Sequence, residues 1–154
     1  MMTLATIRPD GYPQATTVNY IHDGFTVYFA TDATSQKAGN IKLNNKVSVA
    51  IASETQDAYK LRSLSLSGTA KRVLDAERLQ ELRIRLFQKL PQAKRLAPED
   101  AKQLSVFVIT PVAICLVEYA SGYGKTYLVK LRTGVCALVE ISMKEHPQRS
   151  QRQE

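Results

Sequence analysis

The segment from Tyr28 to Lys37 contains the side chains whose types and spacing best suit chemistry. It joins the predicted end of a strand to the predicted start of a helix, and it carries three hydroxyls and one ammonium, on Thr31, Thr34, Ser35 and Lys37. A helix N-terminus also offers unpaired backbone N–H groups, so these groups together could hold a phosphate. The alternative is that the hydroxyls cap the helix and that the lysine is solvated. The residues alone leave both interpretations open.

Other kinds of site lack the residues they need. The two histidines, His22 and His146, are far apart in the sequence and no Cys-x-x-Cys pair occurs, so we expect no metal site. No nucleophile-elbow motif occurs either. Gly122-x-Gly124-Lys125 contains part of a phosphate-loop pattern without its full spacing, which favours a turn. Any redox chemistry must therefore come from a bound cofactor.

The composition is typical of one soluble, globular domain. Of the 154 residues, 44% are hydrophobic and 23% are charged. No run approaches the roughly 18 to 20 apolar residues of a membrane span. The N-terminus lacks the charged and then apolar layout of a signal peptide, and Cys115 and Cys136 lie in apolar runs typical of buried free thiols. We therefore expect a cytoplasmic protein without a membrane partner.

The net charge of +7 raises the alternative of nucleic-acid binding. Many of the basic residues lie on one helical segment or in the polar tail: Arg78, Arg83, Arg85, Lys89, Lys94, Arg95, Lys144, Arg149 and Arg152. A basic helix face without interleaved aromatic residues is typical of a solvated surface, so we expect no nucleic-acid partner. A phosphorylated cofactor or substrate also suits a basic protein, because anions are attracted to positive clefts.

Most of the chain is predicted to form strands. Alternating apolar residues and turn signals predict them over Leu4–Ile7, Gln14–Ile21, Phe25–Thr31, Val47–Ile51, Arg62–Lys71, Leu104–Tyr119, Tyr123–Leu131 and Val135–Ile141. In the strand Arg62–Lys71 leucines alternate with serines, which predicts one buried face and one face toward water, a ligand or a partner. Strands in series without regular strand–helix alternation favour an antiparallel barrel.

Helices are predicted at three places. A short helix over Thr34–Asn44 has Asp32 or Thr34 as its N-cap, a long helix runs from Asp75 to Pro91, and a second short helix begins near Pro98. Leucines of the long helix recur at three- and four-residue spacing, which places its arginines on the other, solvated face. These elements form one domain, residues 1–142, and residues 143–154 form a polar tail expected to be disordered.

Eight short pieces of sequence occur in a recognisable order. They are Leu4-Ala-Thr-Ile, Asp10-Gly-Tyr-Pro, Thr17-Val-Asn-Tyr, Val27-Tyr-Phe-Ala-Thr, Ser35-Gln-Lys, Asn40-Ile, Asn44-Asn-Lys-Val-Ser-Val and Arg62-Ser-Leu-Ser-Leu-Ser-Gly. No single piece is specific, but the ordered set resembles the FMN-binding split β-barrel superfamily typified by pyridoxamine 5′-phosphate oxidase. The likeness covers residues 3–75 well and the last strands in outline.

The resemblance implies a mainly β fold and a shared flavin site. The fold would be an antiparallel split β-barrel of six or seven strands with Greek-key topology and inserted helices. The protein would be a homodimer with FMN in a cleft between its subunits. By position, the flavin and its ribityl chain would lie along Thr16, Thr17 and Val18. The phosphate would lie beside Thr31, Ser35, Gln36 and Lys37. The flavin would be approached from the partner chain by Arg62 and Ser63.

The sequence departs from the oxidases of this family at three places. Gln36 stands where they carry an arginine between the phosphate-binding serine and lysine, and Ala15 and Thr16 stand where they carry an arginine before the flavin-contacting strand. Each lost charge-assisted contact is worth about 1.5–3 kcal/mol. Their Arg-x-His element for the substrate is also missing. We therefore expect no oxidation of pyridoxamine phosphate.

The resemblance implies an FMN-dependent oxidoreductase that acts on an unidentified small substrate. Two alternatives remain open. Relatives that use the deazaflavin F420 share the fold, so an F420-dependent reductase is the first alternative. The second is a non-catalytic flavin- or haem-binding protein, which would bind its ligand without turnover.

Overall fold

The computed structural model describes residues 1–89, 103–119, 125–132 and 135–144. These residues form nine strands and two α-helices: β1 (Met2–Ile7), β2 (Pro13–Val18), β3 (Tyr20–Asp23), β4 (Thr26–Asp32), α1 (Gln36–Leu43), β5 (Lys46–Ala52), β6 (Arg62–Arg72), α2 (Ala76–Lys89), β7 (Leu104–Glu118), β8 (Lys125–Arg132) and β9 (Val135–Lys144). A 3₁₀ turn, Ala58–Lys60, precedes β6. The predicted helix near Pro98, the Gly122–Gly124 turn and residues 145–154 of the tail lie outside the described residues.

All nine strands belong to one antiparallel sheet that curls into a split β-barrel. The strand order is β2-β1-β5-β6-β7-β4-β3, and β8 pairs with the second half of β7 and with β9. Strands β4 to β7 lie in the order β4-β7-β6-β5, which is the spatial order of a Greek key. Helix α2 lies in the connection between β6 and β7. The mainly β, antiparallel split barrel predicted from the sequence is confirmed.

The sheet has more strands than the six or seven expected. The predicted strand Gln14–Ile21 is two strands, because β2 pairs with β1 whereas β3 pairs with β4, and Asn19 lies between them. The strand-forming residues of Gln14–Ile21 continue without interruption, so the sequence gives no sign that the pairing strand changes from β1 to β4 at Asn19. The last strand extends to Lys144, two residues past the expected end of the domain at residue 142.

The main hydrophobic core fills the interior of the curled sheet. Phe29 and Phe107, neighbours across β4 and β7, stack at its centre with ring centroids 5.3 Å apart. Side chains from β1, β2, α1 and β5 to β8 surround them: Leu4, Val18, Ile41, Val49, Leu66, Ile109, Ile114 and Leu131. On β6, Leu66 is buried and Ser65 and Ser67 are exposed, so the predicted two-faced strand is confirmed.

Helix α2 packs on the outer face of β3, β4 and β7. Leu82 and Leu86 are buried there against Ile21, Tyr28 and Val106. The helix is also fixed by charge, because Arg78 and Arg85 both donate to the Asp23 carboxylate at the end of β3. The predicted apolar stripe is therefore confirmed, whereas the prediction that the arginines are merely solvated is wrong for these two.

Candidate functional site

The corner between β4 and α1 holds a short chain of hydrogen bonds. Lys37 Nζ donates to Thr31 Oγ1 at 3.4 Å, Thr31 and Ser35 hydroxyls lie 3.2 Å apart, and Ser35 Oγ donates to the Asp32 carbonyl at 2.7 Å. Because the single proton of Ser35 is used on that carbonyl, Thr31 is the donor to Ser35. Lys37 therefore keeps two of its three ammonium protons for another acceptor.

Ser35 caps the helix, which corrects the prediction of Asp32 or Thr34. Its Oγ accepts the Ala38 N–H at 3.4 Å, and the first helical residue is Gln36. The Asp32 carboxylate accepts instead from the Thr34 hydroxyl and N–H, each at 2.6 Å. These bonds, with a smaller contribution from the nearby Lys37 charge, hold the pKa of Asp32 below its ordinary value. The end of α1 agrees with the prediction, since Asn44 is the C-cap.

A buried polar network fixes the first turns of α1 against the barrel. Asn40 is 2% exposed and its Nδ2 donates to Thr6 Oγ1 at 3.0 Å and to Gln14 Oε1 at 3.1 Å. Gln14 Nε2 in turn donates to Gln36 Oε1 at 2.7 Å. The side chain of Gln36, which replaces the expected arginine, is thus bonded to β2.

A cleft of about 300 Å³ opens beside this corner. Five elements or their ends contribute to its lining: Thr17, Val18, Asn19, Ala30, Thr31, Lys37, Arg83, Leu86, Phe87, Leu104 and Val106. Two of these residues, Lys37 and Arg83, are cationic and none is acidic. The cleft is therefore an apolar slot with a positive potential, which suits a flat ring that carries an anionic group.

The structure brings together four of the nine predicted site residues, because Thr17, Val18, Thr31 and Lys37 all line the cleft. Ser35 and Gln36 lie next to them at the start of α1.

The other three predicted residues lie elsewhere. Thr16 is on the opposite face of β2 from Thr17, as strand periodicity requires, and its Oγ1 is buried without a partner in the described part of the chain. Arg62 and Ser63 open β6, opposite Glu118 and Val117 of β7, and do not line the cleft of their own subunit.

Sequence reasoning missed two polar residues near the corner. Arg83 enters the cleft from α2, although the helical periodicity placed it on the solvated face. Ser105 lies directly across from Thr31 in the β4–β7 register, is 3% exposed, and its Oγ has no partner among the described residues. No sequence signal points to either, since both positions follow from how α2 and β7 pack on β4.

The residues at the corner fit a phosphate group. The ammonium of Lys37 has free protons at the cleft, and among the described residues only the Ala38 N–H of the first turn of α1 is bonded to a side chain. The N–H groups of Gln36 and Lys37 precede the first intrahelical donor, Gly39, so the helix itself provides no acceptor for them. Charge and N–H donors at one helix end are the features that bind phosphate in proteins.

Comparison with known proteins identifies the family. The sequence pattern of the family described as pyridoxamine 5′-phosphate oxidase matches residues 1–118. The chain belongs to the pyridoxamine 5′-phosphate oxidase family. No curated protein sequence matches the chain.

Solved structures of this family's fold include proteins with different ligands. An FMN-binding protein from Nostoc punctiforme, related to pyridoxamine 5′-phosphate oxidase, has a TM-score of 0.67 and 18% identity over 93% of this chain and 84% of its own. A heme-binding protein from Mycobacterium smegmatis has a TM-score of 0.69 and 24% identity over 84% of this chain and 52% of its own. This chain thus spans about half the length of the mycobacterial protein.

An F420 reductase is also similar to this member of the oxidase family. It has a TM-score of 0.60 and 28% identity over 73% of this chain and 86% of its own.

In the part of the chain that the structure describes, neither helix is long and apolar enough to cross a membrane. The Cys115 thiol is free and only partly buried, whereas the side chain of Cys136 lies outside the described set.

Proposed function

We propose that the protein binds FMN in the cleft beside α1 and acts as an FMN-dependent oxidoreductase on a small substrate. The observation that carries the proposal is the Lys37–Thr31–Ser35 corner, where a lysine with free protons and a helix N-terminus meet at an apolar cleft. The family membership and the FMN-binding relative from Nostoc punctiforme support this choice of ligand. When bound, FMN supplies the hydride acceptor and donor that the chain itself lacks.

The side chains of the cleft divide the work of binding. Lys37 and the first N–H groups of α1 bind the phosphate, while Val18, Leu86 and Phe87 provide apolar contact for the ring and exclude water. Thr17 and Asn19 at the end of β2 offer polar groups for the chain that joins ring and phosphate. The missing Arg-x-His element argues against pyridoxamine phosphate as the substrate.

We also propose that the protein is a cytoplasmic homodimer whose FMN sites lie between subunits. The cleft of one subunit is at the lower end of the size range of ligand pockets, about 300–1,000 Å³. Arg62 and Ser63 lie outside it, so a second subunit would have to bring them to it. Large apolar side chains remain exposed in one subunit, among them Tyr12, Tyr59 and Leu74, and pairing would cover part of that surface.

Two alternative ligands have support from similar structures. The F420 reductase is 28% identical to this chain, so F420 is the second candidate as cofactor. Heme is the ligand of the mycobacterial relative and is the third. Titrations with FMN, F420 and heme in parallel rank the three, and the proposal requires FMN to bind most tightly.

The first test is the visible absorption spectrum of the purified protein before and after FMN is added. We expect flavin bands, with one FMN per subunit. Lys37→Ala should weaken FMN binding about tenfold or more, as expected for one lost charge-assisted contact. Lys42→Ala is the matched control, because Lys42 is on the same helix and is exposed outside the cleft. Equal FMN affinities of the two variants would remove Lys37 from the phosphate site.

A further inference from the structure

Arg83 is the arginine of α2 for which the described residues provide no acidic partner. Its Nη2 donates to the Leu104 carbonyl at 2.9 Å, but its Nε is buried and has no hydrogen-bond partner among the described residues. Arg78 and Arg85, by contrast, bind carboxylates of Asp23 and Glu81. The guanidinium of Arg83 therefore carries its charge into the cleft without neutralisation by the described part of the protein.

A buried N–H without an acceptor is costly for a folded protein. The desolvation penalty of such a group is larger when the group is charged. The residues that line the cleft include no carboxylate that could repay this cost. An anionic ligand in the cleft would neutralise the guanidinium charge, and the cleft contains a second cation, Lys37, at the start of α1.

We propose that Arg83 is a phosphate-binding residue that acts together with Lys37. The phosphate then lies between α1 and α2, with the ammonium of Lys37 and the helix N–H groups on one side and the guanidinium of Arg83 on the other. Arg83 supplies the positive charge that the neutral Gln36 side chain, bonded through its Oε1 to Gln14, does not bring to the site. The assignment of the phosphate to FMN rests on the proposed function, whereas the two-cation anion site does not.

The test separates the anion site from the flavin by using inorganic phosphate as the first probe. Phosphate is titrated at constant ionic strength and its dissociation constant is measured by calorimetry and by the rise in melting temperature. We expect Arg83→Met to raise this constant about tenfold or more. Arg83→Lys keeps the charge and should restore part of the affinity. Arg85→Met, on the same helix with its guanidinium on Asp23, should leave the constant unchanged.

The second probe is the pair FMN and riboflavin, which differ only by the phosphate. We expect Arg83→Met to weaken FMN and to leave riboflavin unchanged. Equal weakening of both ligands would place Arg83 at the ring and overturn the proposal. A wild-type protein that ignores phosphate, or an Arg83→Met variant that binds it equally well, would overturn it too. If wild type binds phosphate through Arg83 but does not bind FMN, the inference stands and the proposed function fails.

Discussion

At the scale of single residues, Asn40 connects the barrel interior to the candidate site. It is buried on α1 and its amide donates at once to Thr6 on β1 and to Gln14 on β2. Gln14 then bonds Gln36, the neighbour of Lys37 in the first turn of the helix. Because Asn40 holds the Gln14 amide and Gln14 holds the Gln36 amide, Asn40 fixes the first turn of α1, which presents Lys37 to the cleft.

Replacing Asn40 by alanine should therefore destabilise the fold and weaken the site. The change leaves Thr6 and Gln14 without their donor, and we expect the free energy of unfolding in urea to fall by about 1–3 kcal/mol. Asn45→Ala is the control, because Asn45 is exposed beyond the end of the same helix, and it should change stability by less than about 0.5 kcal/mol. Similar stabilities of the two variants would show that the hydrogen bonds of Asn40 make no net contribution to the free energy of unfolding.

At the scale of elements, α2 is held to the β3–β4 hairpin by the Asp23 carboxylate. Hydrogen bonds from Arg85 and then Arg78 hold the pKa of Asp23 at about 2, below its ordinary value of 3.8. A pKa that is lower in the folded state means that the ionised form stabilises the fold. This contribution is complete above the unfolded pKa and is lost as the pH falls toward the folded one.

The stability difference between wild type and Asp23→Asn should therefore depend on pH. We expect wild type to be the more stable protein near pH 7 and its advantage to shrink between about pH 5 and pH 2. The pairs are partly exposed, so high salt should reduce the advantage at every pH. Chemical unfolding across this pH range measures the effect. A difference that stays constant down to pH 2 would mean that the carboxylate acts through packing and not through its charge.

The surroundings of α1 and α2 show what the sequence could and could not predict. Thr31, Ser35 and Lys37 lie within one strand–helix corner, so local patterning was sufficient to place them together. Thr17 and Val18 came from the resemblance, and the structure places them at the same cleft. Arg83 was missed because helical periodicity separates only an apolar from a polar side. Which polar residue of α2 faces the cleft depends on how the helix lies across β7, which no local pattern encodes.

At the scale of the whole molecule, the proposed FMN site combines residues of two chains. Lys37 lines the cleft, whereas Arg62 begins the distant end of β6, beside the 3₁₀ turn Ala58–Lys60. If Arg62 reaches flavin only from a partner, each site of a two-fold dimer combines Lys37 of one subunit with Arg62 of the other. Sedimentation velocity should then show a mass of two subunits at micromolar concentration, and a monomer would contradict the shared site.

Refolding two variants together, each weakened in FMN binding, tests the sharing directly. Lys37→Ala and Arg62→Ala homodimers each lack one contact in both sites and should bind FMN weakly. When the two are unfolded and refolded together, half of the dimers are mixed, and each mixed dimer has one site with both residues intact. About one quarter of all sites should thus regain wild-type affinity in an FMN titration. No recovery would show that Lys37 and Arg62 serve the same site within one chain or that Arg62 does not contact the flavin.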